Sequence, residues 1–415
     1  MDLFDDLGAR ALALVATPSP TGDEAPGIDL VASWLEPLDV DLDRWTESMA
    51  ELAEDPAFPG WEVARETVPV VAAEVRGTQP GPTTVLTGHV DTVPVGDPAT
   101  WSRAPGGERR GSLLFGRGAC DMKAGLVAAF AAFEDRVRRG RGFAGTVRFV
   151  AVPGEEDGGS GTLAAIRRGW TGDQVVITEP TSRNGAPAIV VAHAGALTYT
   201  IEVEGRSAHA ATRLEGESAL EHLFTVHSAL RRLEAEVNDV EADPRMRALG
   251  LPYPTTIGTV HGGMWASNVM ESLRAEARLG VALGESIEDA SERIESGVRA
   301  QLADDPWLSA HPPRLHRTGA AFGSAEISDD HPLVLAVAGA VQATTGLRPE
   351  LVAAPYGCDM ALWANVGGAA TLVYGPGDVA RAHAPDEHVD LREVRSVTGA
   401  LIRLLDTLHP SVDTE

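Results

Sequence analysis

Five short clusters in this chain gather imidazoles, carboxylates and glycines at spacings that suit metal-assisted acid–base chemistry. The first, Gly88-His89-Val90-Asp91-Thr92-Val93-Pro94, sets a histidine and an aspartate two residues apart. In an extended segment both side chains point the same way, and a carboxylate beside an imidazole fixes its tautomer and orientation. The second, Gly116-Arg117-Gly118-Ala119-Cys120-Asp121-Met122-Lys123-Ala124-Gly125, surrounds an acid with glycines at a helix start. There the backbone can approach a partner in torsions that other residues avoid. The third, Gly154-Glu155-Glu156-Asp157-Gly158-Gly159, is a run of acids directly after the apolar segment VRFVAVP. Such neighbours raise one another's pKa unless cations compensate, and adjacent acids can divide metal binding from proton transfer. The fourth, Thr178-Glu179-Pro180-Thr181, follows DQVVI. The fifth, Gly375-Pro376-Gly377 with Arg381-Ala382-His383-Ala384-Pro385-Asp386-Glu387, follows ATLVY.

Each cluster alone has an ordinary structural explanation. An H-x-D pair is common, Asp121 suits a helix N-cap, and an acidic loop is often simply solvated. As a set they say more. His89, Asp121, Glu156, Glu179 and His383 are two imidazoles and three carboxylates, all at strand-end loops, the edge at which α/β sheets bind ligands. Nitrogen and oxygen donors of this kind suit Zn2+, with Co2+ or Mn2+ as alternatives. The charges also balance, since three carboxylates and one bridging hydroxide neutralise two divalent ions.

The elements that must position these residues read as strands alternating with helices. Amphipathic helices are expected at 2–15 and 27–35, buried strands at 68–75 and 83–87, a helix at 124–138, a strand at 145–152, a helix at 163–168 and a strand at 173–177. That alternation implies a parallel or mixed sheet covered by helices. Near Ala192 the pattern changes. ALTYTIEVE at 196–204 alternates with period two, as a strand with one wetted face does. A helix from Ser218 to about Val240, strands at 255–260 and 273–283, and a helix at about 287–302 follow. These describe a small α+β unit with a single sheet. After His331 the α/β pattern resumes, with helices at 332–345 and 360–365, a strand at 369–374 and a last helix at 391–408. The organisation expected is a catalytic α/β domain at 1–192 and 326–415, interrupted by an inserted α+β domain at 193–325. The polar stretch 47–65, with Pro56 and Pro59, reads as a surface excursion.

Composition narrows the function classes. The chain has 415 residues and a net charge of −26, from 34 basic and 60 acidic residues. Such a surface repels phosphate backbones, which argues against nucleic-acid partners. No stretch approaches the roughly 20 uninterrupted apolar residues of a membrane helix. The N-terminal MDLFDDLGAR carries acids where a secretory signal needs bases, so the cytoplasm is the expected compartment. Two cysteines, Cys120 and Cys358, are no disulfide framework and cannot build a structural zinc site alone; buried free thiols are expected. Lys123 is the only lysine, and a lysine kept in a chain that otherwise uses arginine points to a local demand.

The motifs GHVDTVP, GRGACDMKAG, GEEDGG, TEPTS and GPGDVARAHAPDEHV resemble those of the aminoacylase/carboxypeptidase family of co-catalytic zinc hydrolases. That family includes acetylornithine deacetylase, succinyl-diaminopimelate desuccinylase and glutamate carboxypeptidase. The resemblance runs in order from about Val68 to the C-terminus and includes Trp101 after DTVPVGD. It implies a mixed-sheet zinc-peptidase catalytic domain with an inserted lid or dimerisation domain, two divalent metal ions, and a homodimer formed through the insert. It also implies that Asp121 bridges the metals and that the Asp121–Met122 peptide is cis. His89 and Glu179 would complete one metal's ligands, and Glu156 and His383 the other's. Asp91 would orient His89, and Glu155 would be the general base in hydrolysis by a metal-activated water. His209, in GRSAHA, matches a family histidine that reaches from the lid to stabilise the oxyanion. Asn268 and Arg278 match lid residues that contact substrate.

Two departures from the family pattern stand out, and the second bears on the substrate. The proline that usually follows the Asn-Val segment is absent from Asn268-Val269-Met270-Glu271. In the desuccinylase-like members an Asp near the fifth motif is followed two residues later by an Arg that grips a substrate carboxylate. Here Asp359-Met360-Ala361 has none, so either Arg278 or Arg381 replaces that grip or the substrate lacks the carboxylate. The expected activity is hydrolysis of an amide bond in a small N-acyl amino acid or related N-acyl amine. A dipeptidase or carboxypeptidase, or a deacylase of secondary metabolism, is the alternative. A noncatalytic binding protein on this fold would have lost a ligand or the base, and none is missing.

Overall fold

The apolar run at 83–87 lies inside a longer strand, Gln79–His89, in the computed structural model, which describes residues 3–412. This strand runs parallel to Ala144–Val152 on one side and to Gln174–Ile177 on the other, with Leu86 opposite both Phe149 and Val176. Outward from Ala144–Val152 lie Thr67–Arg76 and then Asp41–Ser48, both antiparallel. On the other side Ala370–Val373 runs parallel to Gln174–Ile177 and meets Ala188–His193. That strand pairs with both Glu350–Ala354 and Ala325–Glu326. Among the described residues this makes one nine-stranded mixed sheet. Its central strands are apolar and buried where they cross the middle of the sheet, as strands covered on both faces must be: Phe149 to Val152 and Val175 to Ile177 form unbroken rows.

Helices Ala124–Arg138, Pro332–Thr345 and Leu391–Leu408 pack side by side, with Leu3–Ala16 against them. Ala25–Leu35 and Ser160–Arg167 pack on the strands Thr67–Arg76 and Ala144–Val152. The helix expected at 2–15 is seen as Leu3–Ala16, Asp2 lying outside the described residues. Among the described residues no helix is long and apolar enough to cross a membrane.

The chain leaves the large sheet after His193 and rejoins it at Ala325. Between them a four-stranded antiparallel sheet is ordered Thr255–Gly262, Ser272–Val281, Gly195–Glu204, Arg314–Phe322. Helices Ala219–Asp239 and Ile287–Gln301 lay Leu223, Val226, Leu230, Ile294 and Val298 on Leu197, Tyr199, Ile201 and Ala275, a core separate from that of the large sheet. Serines start both helices, Ser218 accepting the N–H of Glu221 and Ser286 that of Asp289, as expected of S-x-x-E/D helix starts.

A three-stranded ribbon, Glu108–Arg110, Leu113–Phe115 and His388–Asp390, pairs His388 with Phe115. It thereby brings the loop carrying His383 beside the loop carrying Asp121. Several segments differ from expectation, among them the sheet strands Ala188–His193 and Glu350–Ala354, for which no strand was expected. Asp41–Ser48 is an edge strand whose polar sequence hides it, since only Trp45 is buried there. The stretch 47–65 is not a free excursion. It begins in that strand, buries Met49 and Leu52, and ends at Arg65, whose side chain is 4% exposed.

Candidate metal centre

His89 sits at the last position of the strand Gln79–His89, is fully buried, and holds both ring nitrogens close to oxygen. Nδ1 is 3.0 Å from the Asp91 carbonyl oxygen and 3.4 Å from Asp91 Oδ1, while Nε2 is 3.3 Å from Asp121 Oδ1. Asp91 has a second task that the sequence did not reveal. Its carboxylate accepts the backbone N–H groups of Glu155 (3.3 Å) and Glu156 (3.1 Å), so one side chain sets both His89 and the acidic loop.

Asp121 precedes a cis peptide to Met122. Its backbone N–H and that of Cys120 donate to Glu387 Oε1 at 3.1 and 2.9 Å, and Arg117 Nη1 donates to Glu387 Oε2 at 2.6 Å. This buried Arg117–Glu387 pair clamps the Asp121 loop and was not singled out from sequence. Its only sequence signal is that both residues fall inside clusters already carrying a candidate ligand. His383 stands in a left-handed conformation, φ 57°. It brings Nε2 to 3.3 Å from Asp121 Oδ2 and 3.1 Å from Glu156 Oε2. Glu179 follows the strand Gln174–Ile177, where its backbone is pressed between two glycines. A Cβ on Gly125 would lie 1.9 Å from the Thr178 carbonyl oxygen, and one on Gly375 would lie 2.4 Å from that of Glu179.

The electrostatics are those of an anionic cluster short of positive charge. Burial pushes the Glu179 carboxyl up to about 8, with Asp121 adding to it. Burial raises Glu156, again with Asp121 contributing, and raises Glu155 well above the usual carboxylate range with Glu179 beside it. Burial also works against the Asp121 charge, but hydrogen bonds from His383 and His89 outweigh it and hold that carboxyl low. Hydrogen bonds to Asp121 and Glu156 carry His383 up to about 10. One oxygen, Glu179 Oε1, is buried with no hydrogen-bond partner among the described residues. Donor atoms of His89, Asp121 and Glu156 lie within 4.8 Å of one another, as do those of His89, Glu155 and Glu179. An orphaned oxygen among converging N and O donors fits divalent cations, which would satisfy that oxygen and remove the repulsion.

The cluster lies in a cavity of about 430 Å³ that Asp121, Glu155, Glu156, Glu179 and His383 line together with Arg278, Val93, Phe322 and Tyr356. The Arg278 guanidinium stands 5.2 Å from the centre of the Phe322 ring. His209 and Asn268 are not among these lining residues. They pair with each other on the exposed surface of the four-stranded unit, and His209 Nδ1 accepts the Ala211 N–H at 3.0 Å. Lys123 Nζ donates to the Thr17 carbonyl oxygen at 2.9 Å, tying the end of the helix Leu3–Ala16 to the Asp121 loop. Cys120 and Cys358 are buried and unpaired.

Residues 85–407 match the model of peptidase family M20/M25/M40. The chain is 24% identical over 418 residues to the N-formyl-4-amino-5-aminomethyl-2-methylpyrimidine deformylase of Bacillus subtilis, covering 95% of this chain and 92% of that one. It is 30% identical over 358 residues to the succinyl-diaminopimelate desuccinylase of Methylobacterium radiotolerans, covering 81% of each. Its fold is similar to that of a tripeptidase from Staphylococcus aureus, with a TM-score of 0.73, 19% identity and 98% of both chains covered.

Proposed function

The chain belongs to peptidase family M20/M25/M40, and on that premise we propose that it hydrolyses the amide bond of a small N-acyl amino acid or related N-acyl amine. The observation that carries this reading is the lining of one cavity by Asp121, Glu155, Glu156, Glu179 and His383, with buried His89 behind them, its Nε2 3.3 Å from Asp121 Oδ1. Asp121, placed between His89 and His383, would bridge two cations. His89 and Glu179 would complete one ligand set, and Glu156 and His383 the other. Zn2+ fits this donor set first, with Co2+ or Mn2+ as substitutes. Bound there, such ions supply Lewis acidity toward the acyl carbonyl and make water acidic enough to ionise near neutral pH.

The residues do the rest. Glu155, buried and raised in pKa, accepts the water proton and returns it to the leaving nitrogen. Asp91 holds His89 in one orientation and fixes the Glu155 backbone. Arg278, the one guanidinium among the residues lining the cavity, is suited to grip a substrate carboxylate. It would take the place of the arginine absent after Asp359. The same machinery serves a dipeptidase or carboxypeptidase, so the acyl group is decided by assay.

Two copies would pair through the inserted unit, residues 193–325. Leu214, Met264 and Trp265 are 87, 84 and 73% exposed there and line one groove with Asn268. The exposure of His209 on the same unit favours its service in the cavity of a neighbouring copy, where its Nε2 would donate to the oxyanion. The cytoplasm is the proposed compartment, since it keeps two free thiols reduced.

The test is hydrolysis of N-formyl, N-acetyl and N-succinyl amino acids and dipeptides by Zn2+-loaded protein. Glu155→Ala should lose about 10²- to 10⁴-fold in kcat while binding metal as before, and chelation should abolish turnover. Activity that survives both Glu155→Ala and chelation would remove this reading.

A further inference from the structure

The segment 56–65 touches both units of the fold. At its start the Pro59 carbonyl oxygen accepts the Ala321 N–H at 2.7 Å. The approach at Gly60 is so close that a Cβ there would lie 2.3 Å from the Gly319 carbonyl oxygen. Glu62 Oε1 accepts the Thr198 hydroxyl at 3.1 Å. Ala321, Gly319 and Thr198 all belong to strands of the inserted unit, close to the points where the chain enters and leaves it.

At its other end the segment grips the acidic loop. The Val63 N–H donates to Asp157 Oδ2 at 3.2 Å. The Arg65 side chain is 4% exposed and forms ion pairs with Glu24 and with Asp157, themselves 2 and 3% exposed. Its Nη2 also reaches Ser160 Oγ at 3.3 Å, where the next helix starts. Asp157 follows Glu155 and Glu156 directly, so Arg65 holds from below the loop whose amides Asp91 holds from within. A guanidinium suits this place because its planar fork addresses two carboxylates at once, which a lysine ammonium does less well. Removing it would leave two buried carboxylates unpaired beside the site.

We propose that segment 56–65 is a strap joining the inserted unit to the acidic loop, and that Arg65 is a positioning residue for Glu155 and Glu156. The proposal rests on the hydrolase reading for its kinetic consequence but not for its structural one. A shift of the inserted unit pulls on Pro59 to Glu62, and Arg65 passes that displacement to Asp157. The two carboxylates are then held for reaction only when the unit is seated.

The experiment uses the full-length protein with and without Zn2+ and reads hydrogen exchange by mass spectrometry in the peptide spanning 154–162. In Arg65→Ala the amides of Glu155 and Glu156 should exchange at least about tenfold faster. On the substrate found by the panel, kcat should fall about 100-fold with KM within threefold, and Arg65→Lys should recover part of the loss. Thr198→Val acts at the far end of the strap and leaves every charge in place, so it carries the test even if Arg65→Ala does not fold. It should speed exchange in 154–162 at an unchanged melting temperature. Wild-type exchange in that peptide for Thr198→Val, or for a folded Arg65→Ala, would overturn the strap. A wild-type protein without turnover would remove the hydrolase reading and leave the exchange result to decide the strap alone.

Discussion

At the scale of single residues, the acids and histidines of the cavity make a definite statement about pH. Burial lifts the Glu179 carboxyl from 4.5 to about 8, and hydrogen bonds to Asp121 and Glu156 lift His383 from 6.5 to about 10. Both folded values are raised, so the stability these groups contribute is complete below the unfolded values and is lost as pH climbs through the folded ones. The metal-free protein should therefore melt at progressively lower temperature as pH rises from about 5 to about 9. Saturating Zn2+ should remove most of that fall by pairing the ionised carboxylates. Thermal melts in chelator and in Zn2+ across this range check it, and a flat curve in chelator would mean that these side chains do not crowd one another. The ligand candidates were legible because each stands in a short loop cluster after an apolar or glycine-rich segment, all but that of Glu179 marked by glycines. Glu387 was not, although it lies in the same cluster as His383. Its work is to accept two backbone amides and one arginine, and no spacing in the sequence announces a partner 270 residues away.

At the scale of elements, the site depends on how closely the helix Ala124–Arg138 can begin beside the strand end that carries Glu179. Gly125 allows that contact, since a Cβ would sit 1.9 Å from the Thr178 carbonyl oxygen. Gly125→Ala must push the helix and the Glu179 loop apart, at a cost of roughly 1–3 kcal/mol, with weaker binding of Zn2+ as the accompanying loss. Gly339 is the control. It lies inside the helix Pro332–Thr345, and a Cβ added there would meet nothing among the described residues within 4 Å beyond its own helix backbone, so Gly339→Ala should stabilise by about 0.5–1 kcal/mol. Urea titrations of both variants, with metal titrations of the first, compare them, and equal stabilities would mean that Gly125 is not in contact. The same scale shows where sequence reading fell short. The central strands announce themselves as continuous apolar runs, but Asp41–Ser48 buries only Trp45 and carries no period-two signal. The polar stretch before Arg65 looked solvated because the charge that ends it is satisfied by residues remote in sequence, Glu24 and Asp157.

At the scale of the whole molecule, two large cores share one chain with a smaller cluster of Ala192, Met246, Tyr253 and Ala353 between them, and the inserted unit carries an apolar surface that its own residues leave open. Trp265→Asp places a charge in the middle of that groove. If two copies meet there, light scattering should give twice 43.6 kDa for the wild type and 43.6 kDa for the variant. A wild-type mass of one copy would remove the pairing and leave His209 without a neighbour's cavity to serve. The exterior has another property, which follows from the place of Lys123. The only lysine of the chain is buried, 1% exposed, with its ammonium on the Thr17 carbonyl oxygen. Apart from the α-amino group, the folded surface therefore offers no amine to acylating labels, aldehyde cross-linkers or lysine-specific proteases. Such reagents reach the side chain only when the helix Leu3–Ala16 lifts from the Asp121 loop, so a single mass increment at Lys123 would time that opening.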